Sequence, residues 1–319
     1  FYGYQRDTYI IDTTIARFGS GEGKAVINES IRGYDLYIVV DCFNYSVKYK
    51  MYGMDVPKSP DDHFADLKRV ISAASSKAKR INVIMPMLYE GRQHKRSSRE
   101  SLDCAMALQE LTTLGVENII TFDAHDQRVQ NSIPHKSFEN VMPTYQMIKA
   151  LVNNVSDLHI DPDHLMVISP DEGAMHRCIY FATQLGVNLG MFYKRRDYTR
   201  VVNGRNPIVA HQYLGDSVEG KDIIIVDDMI SSGESMLEVA KKLKELKANR
   251  IFVCTTFGLF ASGLDVFDKA HEKGIFEKVF TTNGVYQTPE LLSRDWYQSV
   301  ELSKDLAYFL DTINHDLSD

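Results

Sequence analysis

Ile223-Ile-Ile-Val-Asp-Asp-Met-Ile-Ser-Ser-Gly-Glu-Ser235 is the stretch of this 319-residue chain that decides its fold. Its β-branched residues predict a buried strand, because strands of parallel sheets are continuously apolar. The strand ends in Asp227 and Asp228, a small-residue turn follows, and a helical pattern begins at Met236. Ligands of open α/β sheets bind beyond the carboxyl ends of strands, and such a turn offers N–H groups to an anion. The stretch indicates a phosphorylated substrate carrying hydroxyls or a metal, with an ordinary capped strand-turn-helix as the alternative.

The same alternation of strand and helix continues on both sides of this stretch. Alternating strands and helices predict βαβ units and parallel sheets, hence an α/β fold. A strand that ends in Asp and His at 119–125 parallels the one at 223–228, so we expect two related domains, 1–145 and 146–319. The predicted strands are 35–40, 81–86, 118–122, 165–169, 223–226, 251–256 and 279–282, and the predicted helices lie near 61–78, 98–114, 142–154, 172–185, 235–248, 262–273 and 298–313.

Two polar segments interrupt this pattern, and the composition limits the partners. Asn44–Pro60 and Arg195–Gly215 are long enough to predict mobile loops, which in compact domains are usually functional or disordered. The net charge of −7 argues against a general nucleic-acid binder, and no apolar run has the length of a membrane span. The four cysteines show no metal-site spacing, so we expect buried free thiols in a reducing cytoplasm.

Charged side chains follow two of the predicted strands in the first half. Arg92 belongs to the basic segment Tyr89–Arg96, and guanidinium groups suit bidentate contacts with phosphates. Asp123 and His125 end the next strand, where such side chains hold Mg²⁺ or orient phosphate oxygens; Mg²⁺ needs few protein ligands. A solvated basic loop and a surface turn are the respective alternatives.

Two further charged groups lie in the second half. Asp171 ends a strand before the helix that carries Arg177, and this position alone favours a helix cap. Tyr193–Arg196 closes a strand with three consecutive cations. Such cations can neutralise the charge that builds up during phosphoryl transfer, although a lone charge run is more often a solvated surface.

Together, and in this order, these segments resemble the ribose-phosphate pyrophosphokinase family, from about Ala16 to about Ala248. The resemblance implies two phosphoribosyltransferase-type domains with mainly parallel sheets, related by a pseudo-twofold. It implies pyrophosphoryl transfer from Mg-ATP, bound on the N-terminal side, to the 1-hydroxyl of ribose 5-phosphate on the C-terminal side. Assembly as a homodimer or homohexamer is implied as well. The segments that carry it are Arg17–Glu22, Ile27–Gly33, Glu90–Gln93, Ile119–His125, Val167–Asp171, Tyr193–Arg196 and Ile223–Ser235.

The resemblance also implies a role for each matching residue. It places catalytic cations, nucleotide contacts, Mg²⁺-linked positions and sugar-phosphate contacts along the chain. The catalytic cations are Lys194 and Arg196, the ATP-binding residues are Phe18, Ser20, Gly21, Glu22, Arg92 and Gln93, the Mg²⁺-linked residues are His125 and Asp171 with Asp123 beside them, and the ribose 5-phosphate residues are Asp227, Asp228, Ser231, Ser232, Gly233, Glu234 and Ser235.

The chain departs from the family pattern at a few of these positions. Glu234 replaces a glycine of the phosphate loop, Ser20 stands where an acid is common, and His94 where Asp is usual. Two unit charges about 4 Å apart repel by roughly 1 kcal/mol in water and roughly 4 at intermediate dielectric, so Glu234 weakens sugar binding unless it points away. These departures keep open a non-catalytic homologue that binds nucleotide and co-assembles with an active synthetase. A phosphoribosyltransferase is a third hypothesis, disfavoured by the ATP-side motifs.

Overall fold

The computed structural model of the protein describes residues 8–196, 208–315 and 317, without the side chains of 194–196 and 208–211. The described residues form two compact units: the first comprises the residues up to Val141 together with those from Asn314 onward, and the second comprises Met142–Ile313. The main sheet of each unit is built mostly from parallel strands, which confirms the predicted α/β fold. Within the described residues, no helix combines the length and the apolar character needed to cross a bilayer.

The first unit is built on a parallel sheet in the order β3-β6-β7-β8. The helices α1 and α2 pack their apolar residues, including Ile71 and Leu111, against Val83 and Ile119 of this sheet. Its elements in chain order are β1 (Thr13–Arg17), β2 (Gly23–Ile27), β3 (Asp35–Val39), β4 (Lys48–Met51), β5 (Met54–Pro57), α1 (Pro60–Ala74), β6 (Arg80–Ile84), α2 (Asp103–Thr113), β7 (Asn118–Phe122), a 3₁₀ helix (Gln127–Ser132) and β8 (Ser137–Val141).

The middle of the predicted loop Asn44–Pro60 is a β-hairpin, so that prediction is wrong there. β4 and β5 pair antiparallel, and Met51 opposes Met54. The connecting residues Tyr52 and Gly53 both have positive φ, 48° and 79°. Positive φ at both central residues is typical of the type I′ turn that matches the twist of a two-residue hairpin. The segment looked like a loop because its strands are only four residues long and β4 carries two lysines.

The second unit contains a larger sheet, in which seven described strands have the order β11-β10-β9-β12-β13-β14-β15. All neighbours are parallel except β10 and β11. Its elements are α3 (Thr144–Asn154), β9 (Leu165–Ser169), α4 (Met175–Leu185), β10 (Asn188–Arg196), β11 (Ile208–Leu214), β12 (Asp222–Ile230), α5 (Glu234–Glu245), β13 (Ile251–Gly258), α6 (Asp265–Glu272), β14 (Lys278–Thr282), α7 (Pro289–Leu292), β15 (Tyr297–Val300) and α8 (Ser303–Asn314).

The ends of this sheet differ from the sequence-based prediction. Ile208–Leu214, within the predicted loop Arg195–Gly215, forms the edge strand β11, and residues 197–207 of that loop lie outside the described residues. Tyr297–Val300 forms β15, although a helix was expected from residue 298. Strands β7 and β9 have the predicted bounds. Both missed strands lie at sheet edges, where half-exposed residues weaken the apolar pattern that identifies strands.

Strand β12 lies in the middle of the sheet and is covered on both faces. Ile223 and Ile225 pack into a core formed with α5 and α6. Ile224 and Val226 pack into the core on the opposite face, formed with α3 and α4. This two-sided burial explains the continuous apolar run in the sequence.

A buried ionic centre at Asp66 of α1 connects several elements of the first unit. Its carboxylate, in a residue only 3% exposed, accepts a hydrogen bond from Arg17 Nη2 at 2.9 Å. Lys58 Nζ and Arg69 Nη1 lie 2.8 and 2.7 Å from its oxygens. Burial raises the pKa of Asp66, but the hydrogen bonds and charges of Arg17 and Lys58 outweigh burial and hold the pKa below its ordinary value.

We predict that Asp66→Asn lowers the free energy of unfolding at pH 7 by about 3–5 kcal/mol, because it leaves buried cations without their anion. A depressed carboxyl pKa stabilises the folded state above the unfolded-state pKa of about 3.9 and ceases to do so as the pH falls through the folded-state value. Urea denaturation at pH 7 and pH 3 should therefore show a large difference between variant and wild type that shrinks in acid.

The matched control is Asp55→Asn, which breaks the ion pair between Asp55 and Lys50 on the β4–β5 hairpin, where both side chains are exposed. Exposed pairs contribute little to stability, so the urea midpoint should not move. Equal losses in the two variants would contradict a special role of the buried centre.

Candidate functional site

The carboxyl end of β12 carries two adjacent acids. The Asp228 N–H donates a hydrogen bond to Asp227 Oδ1 at 2.8 Å. Asp228 is 3% exposed, whereas the Asp227 side chain is 23% exposed. Burial, followed by the charge of Asp228, raises the pKa of Asp227 well above its ordinary value. The acids thus form a crowded anionic pair at the edge where ligands of α/β sheets bind.

The turn after β12 leads directly into the first turn of α5. The Ser231 carbonyl accepts the N–H of Ala261, and the Ser232 hydroxyl lies 3.5 Å from the Glu234 N–H. Gly233 is the N-cap residue and has a φ of 87°. The first N–H groups of a helix have no acceptor within the helix, so this turn has the construction of an anion site.

Packing explains why glycine occupies position 233. A Cβ atom there would lie 2.3 Å from ring atoms of Phe267, which is fully buried in α6. The positive φ disfavours other residues independently. The Phe267 ring of α6 thus packs directly against this turn, and the contact sets where α5 begins.

Glu234 shares a face of α5 with Leu237 and Lys241. The spacing of three and seven residues places these side chains in one stripe. The same residues line a cavity of about 290 Å³ between α5 and α6, with Val266 and Lys269 opposite. Glu234 thus lines the α5–α6 groove, while its N–H group belongs to the turn after β12.

Asp171 lies in the turn between β9 and α4. Its Oδ1 accepts hydrogen bonds from the N–H groups of Gly173 and Ala174 at 2.9 and 3.3 Å. The Ser169 hydroxyl donates to the Asp171 carbonyl at 2.7 Å. These contacts form an Asx turn ahead of the helix. The N-cap residue of α4 is Ala174, which makes no side-chain capping hydrogen bond, so the helix cap expected at Asp171 is wrong. A metal-linked role for Asp171 stays a prediction.

In the first unit, the predicted residues Asp123 and His125 follow β7. Asp123 is 5% exposed and has a φ of 41°, whereas His125 is exposed. The rings of His125 and His94 lie 5.2 Å apart, and His94 Nε2 is 3.5 Å from an Asp126 oxygen. Burial lowers the pKa of His94, and the Asp126 charge partly opposes this effect. His94 thus joins the group at the end of β7, beside Asp126 and His125, a contact that the sequence reasoning did not foresee.

The predicted nucleotide contacts lie on two segments of the first unit. Phe18 and Ser20 are exposed on the β1–β2 turn, and the Ser20 hydroxyl donates to Glu22 Oε2 at 2.8 Å. Arg92 is exposed. The Gln93 amide donates to the carbonyl of Ser101 at 2.9 Å, so it also orders its own loop.

The family resemblance implies a bound Mg²⁺, and the side chains that could bind a metal indicate how such an ion would be held. Across residues 8–196, 208–315 and 317, no three His, Cys, Asp or Glu side chains converge as a metal site. Mg²⁺ usually keeps several waters and is bound by one or two carboxylates together with substrate phosphates. The residues present therefore fit an ion brought by nucleotide phosphates better than a cage made by the protein.

Three more charged residues of the second unit are Lys194, Arg196 and Arg177. Lys194 and Arg196 are the last residues of β10, opposite residues of β11, and their side chains are outside the described part of the chain. Arg177 was noticed in the sequence only as part of a helix, but its Nη1 lies 3.7 Å from Asp227 Oδ1. The sequence signal for this contact was an arginine among the apolar residues of α4.

Comparison with known proteins identifies the family. Residues 4–115 match the N-terminal domain of ribose phosphate pyrophosphokinase, and residues 135–294 match the phosphoribosyl transferase domain. The chain belongs to the ribose-phosphate pyrophosphokinase family. It is similar over most of its length to proteins with that name.

Among these relatives, the Vibrio cholerae ribose-phosphate pyrophosphokinase is 27% identical over 314 residues, covering 96% of this chain and 89% of the relative. The Chlorobaculum tepidum protein is 28% identical over 291 residues, covering 90% and 80%. The crystal structure of phosphoribosylpyrophosphate synthetase from Mycobacterium smegmatis has a TM-score of 0.80 at 21% identity, covering 97% of this chain and 92% of that one. This structural likeness establishes the same fold.

We predict that Gly233→Ala destabilises the protein more than Gly220→Ala. Both glycines have positive φ, but nothing lies within 4 Å of a Cβ built at Gly220. The left-handed backbone costs roughly 1–2 kcal/mol in either variant, and the collision with Phe267 adds about 1–3 kcal/mol at position 233. Urea denaturation measures both values. Equal losses of stability in the two variants would mean that the turn does not pack tightly against Phe267.

Proposed function

We propose that the protein is a ribose-phosphate pyrophosphokinase. The 1-hydroxyl oxygen of ribose 5-phosphate attacks the β-phosphorus of ATP, the bond from that phosphorus to the α–β bridging oxygen breaks, and AMP leaves with phosphoribosyl pyrophosphate as product. The observation that carries the proposal is the paired acids followed by an anion-binding turn at the carboxyl end of β12, in a chain of this family.

The C-terminal domain, residues 146–319, binds ribose 5-phosphate in this proposal. Asp227 and Asp228 accept hydrogen bonds from sugar hydroxyls. The 5-phosphate lies on the turn, which offers serine hydroxyls and N–H groups at the positive end of the α5 dipole. The residues of the turn are Ser231, Ser232, Gly233, Glu234 and Ser235.

The N-terminal domain, residues 1–145, provides the ATP side. Arg92 and Gln93 contact the nucleotide, and Phe18, Ser20, Gly21 and Glu22 approach the adenine of a neighbouring subunit in a homodimer or homohexamer. Mg²⁺ bound together with ATP would supply positive charge that stabilises the phosphates. His125 and Asp171, with Asp123, are the residues that would hold it.

Lys194 and Arg196 are the proposed catalytic cations. Phosphoryl transfer depends mainly on positioning and on stabilising charge in the transition state, and these cations supply positive charge in a chain whose net charge is −7. The four cysteines are buried free thiols, in line with our inference that the enzyme acts in a reducing cytoplasm.

The direct test is incubation with Mg-ATP and ribose 5-phosphate. AMP and phosphoribosyl pyrophosphate should form in equal amounts, and AMP should not form without the sugar. Nucleotide binding without turnover, together with capture of an active homologue, would favour the regulatory homologue. Pyrophosphate release that depends on a nucleobase would favour a phosphoribosyltransferase.

We predict that Lys194→Ala lowers kcat by about 100-fold or more, because it removes charge stabilisation in the transition state. The KM for ATP should stay within about threefold of the wild-type value. Steady-state kinetics with AMP as the measured product provides both numbers, and Arg195→Ala, which removes the intervening charge, should have the smaller effect. A loss that appears entirely in the KM for ATP would refute the transition-state role.

We predict that Glu234→Gln changes the KM for ribose 5-phosphate by less than about threefold, because Glu234 lines the α5–α6 groove. A carboxylate about 4 Å from the phosphate would instead raise the wild-type KM by roughly tenfold or more. Glu238→Gln removes an exposed charge further along α5 and serves as control. A tenfold drop in KM for Glu234→Gln alone would show that the side chain faces the phosphate.

A further inference from the structure

Arg177 occupies a position that costs free energy. It lies in the first turn of α4, and its side chain is 8% exposed. Arginine is rarely buried without a partner, and the positive end of the helix dipole repels a cation. A buried arginine at this place therefore needs a compensating anion.

The fold brings that anion, Asp227, to the start of α4. Helix α4 follows β9, and β9 lies beside β12 in the sheet, so α4 begins next to the end of β12. The Cys178 thiol donates a hydrogen bond to the Val226 carbonyl at 3.2 Å. This contact joins the residue after Arg177 to the residue before Asp227, and it fixes the helix where the ion pair of 3.7 Å forms.

Two contacts of Asp227 involve the same oxygen. Oδ1 accepts the Asp228 N–H at 2.8 Å and is also the atom nearest Arg177. These two contacts restrict the rotation of the carboxylate. Burial and the Asp228 charge raise the pKa of Asp227, whereas the Arg177 charge lowers it. Without Arg177 the acid pair would hold a proton more tightly and accept hydrogen bonds less well.

We propose that Arg177 is a positioning residue for ribose 5-phosphate, which orients Asp227 and compensates the charge of the acid pair so that it can accept the sugar hydroxyls. This inference rests on the proposed function. The small exposed fraction of Arg177 leaves little surface for a phosphate, so its effect on the substrate passes through Asp227.

Kinetics of Arg177→Met test the proposal. The KM for ribose 5-phosphate should rise by about tenfold or more, the size expected from weakening hydrogen bonds to a charged group. The KM for ATP should stay within about twofold. Arg177→Lys keeps the charge and should recover most of the affinity. Arg177→Gln provides the same comparison if the methionine variant does not fold.

The opposite end of β12 offers a matched control. Arg250 Nη2 lies 2.7 Å from Asp222 Oδ2, and Asp222 is the first residue of the strand. Arg250 also pairs with Asp157. Arg250→Met should lower the melting temperature and leave both KM values unchanged, because this pair lies at the edge away from the proposed site.

A second measurement separates failure of this inference from failure of the proposed function. The melting-temperature loss caused by Arg177→Met should be smaller in an Asp227→Asn background, because the contribution of the Arg177–Asp227 ion pair is already absent there. Equal losses in the two backgrounds, or parallel changes in both KM values, would overturn the positioning role alone. A wild-type protein without turnover would overturn the proposed function and the positioning role together.

Discussion

The burial of β12 on both faces is the constraint on which the rest of the second unit depends. Helices cover Ile223–Val226 from either side, and Asp227 and Asp228 follow this apolar run within the last half of the strand. The acids are thereby held in a crowded, partly buried place, and the turn that follows Ile230 packs onto Phe267. The same ring position that excludes a side chain at Gly233 sets the start of α5 and the direction of its free N–H groups.

This arrangement favours binding at the expense of stability. Adjacent carboxylates at a sheet edge repel one another, and burial raises the pKa of Asp227 further. At the amino end of the strand, Asp222 instead receives close hydrogen bonds from Arg250. The contrast between a tight pair at 2.7 Å and a loose pair at 3.7 Å is what a site needs if the acids must also accept hydrogen bonds from a ligand.

Sequence patterns predicted the central strands because their burial is nearly complete. The hairpin of β4 and β5 escaped prediction, since its turn depends on backbone angles at Tyr52 and Gly53 that composition does not show. The edge strand β15 has too few apolar residues to be distinguished from a helix, and β11 follows directly on a polar segment whose composition is typical of a loop. The Asp66 centre was also missed, because its partners come from positions as far apart in the chain as Arg17 and Arg69.

The sequence by itself determined the α/β fold, the family, and the order of the charged motifs, because these follow from local periodicity and from residues in fixed order. The tertiary structure decided which charges meet. It placed Glu234 in the α5–α6 groove, His94 beside His125, and Arg177 beside Asp227. Such contacts depend on the packing of helices against neighbouring strands, and no spacing along the chain encodes the distance between a helix and a strand fifty residues away.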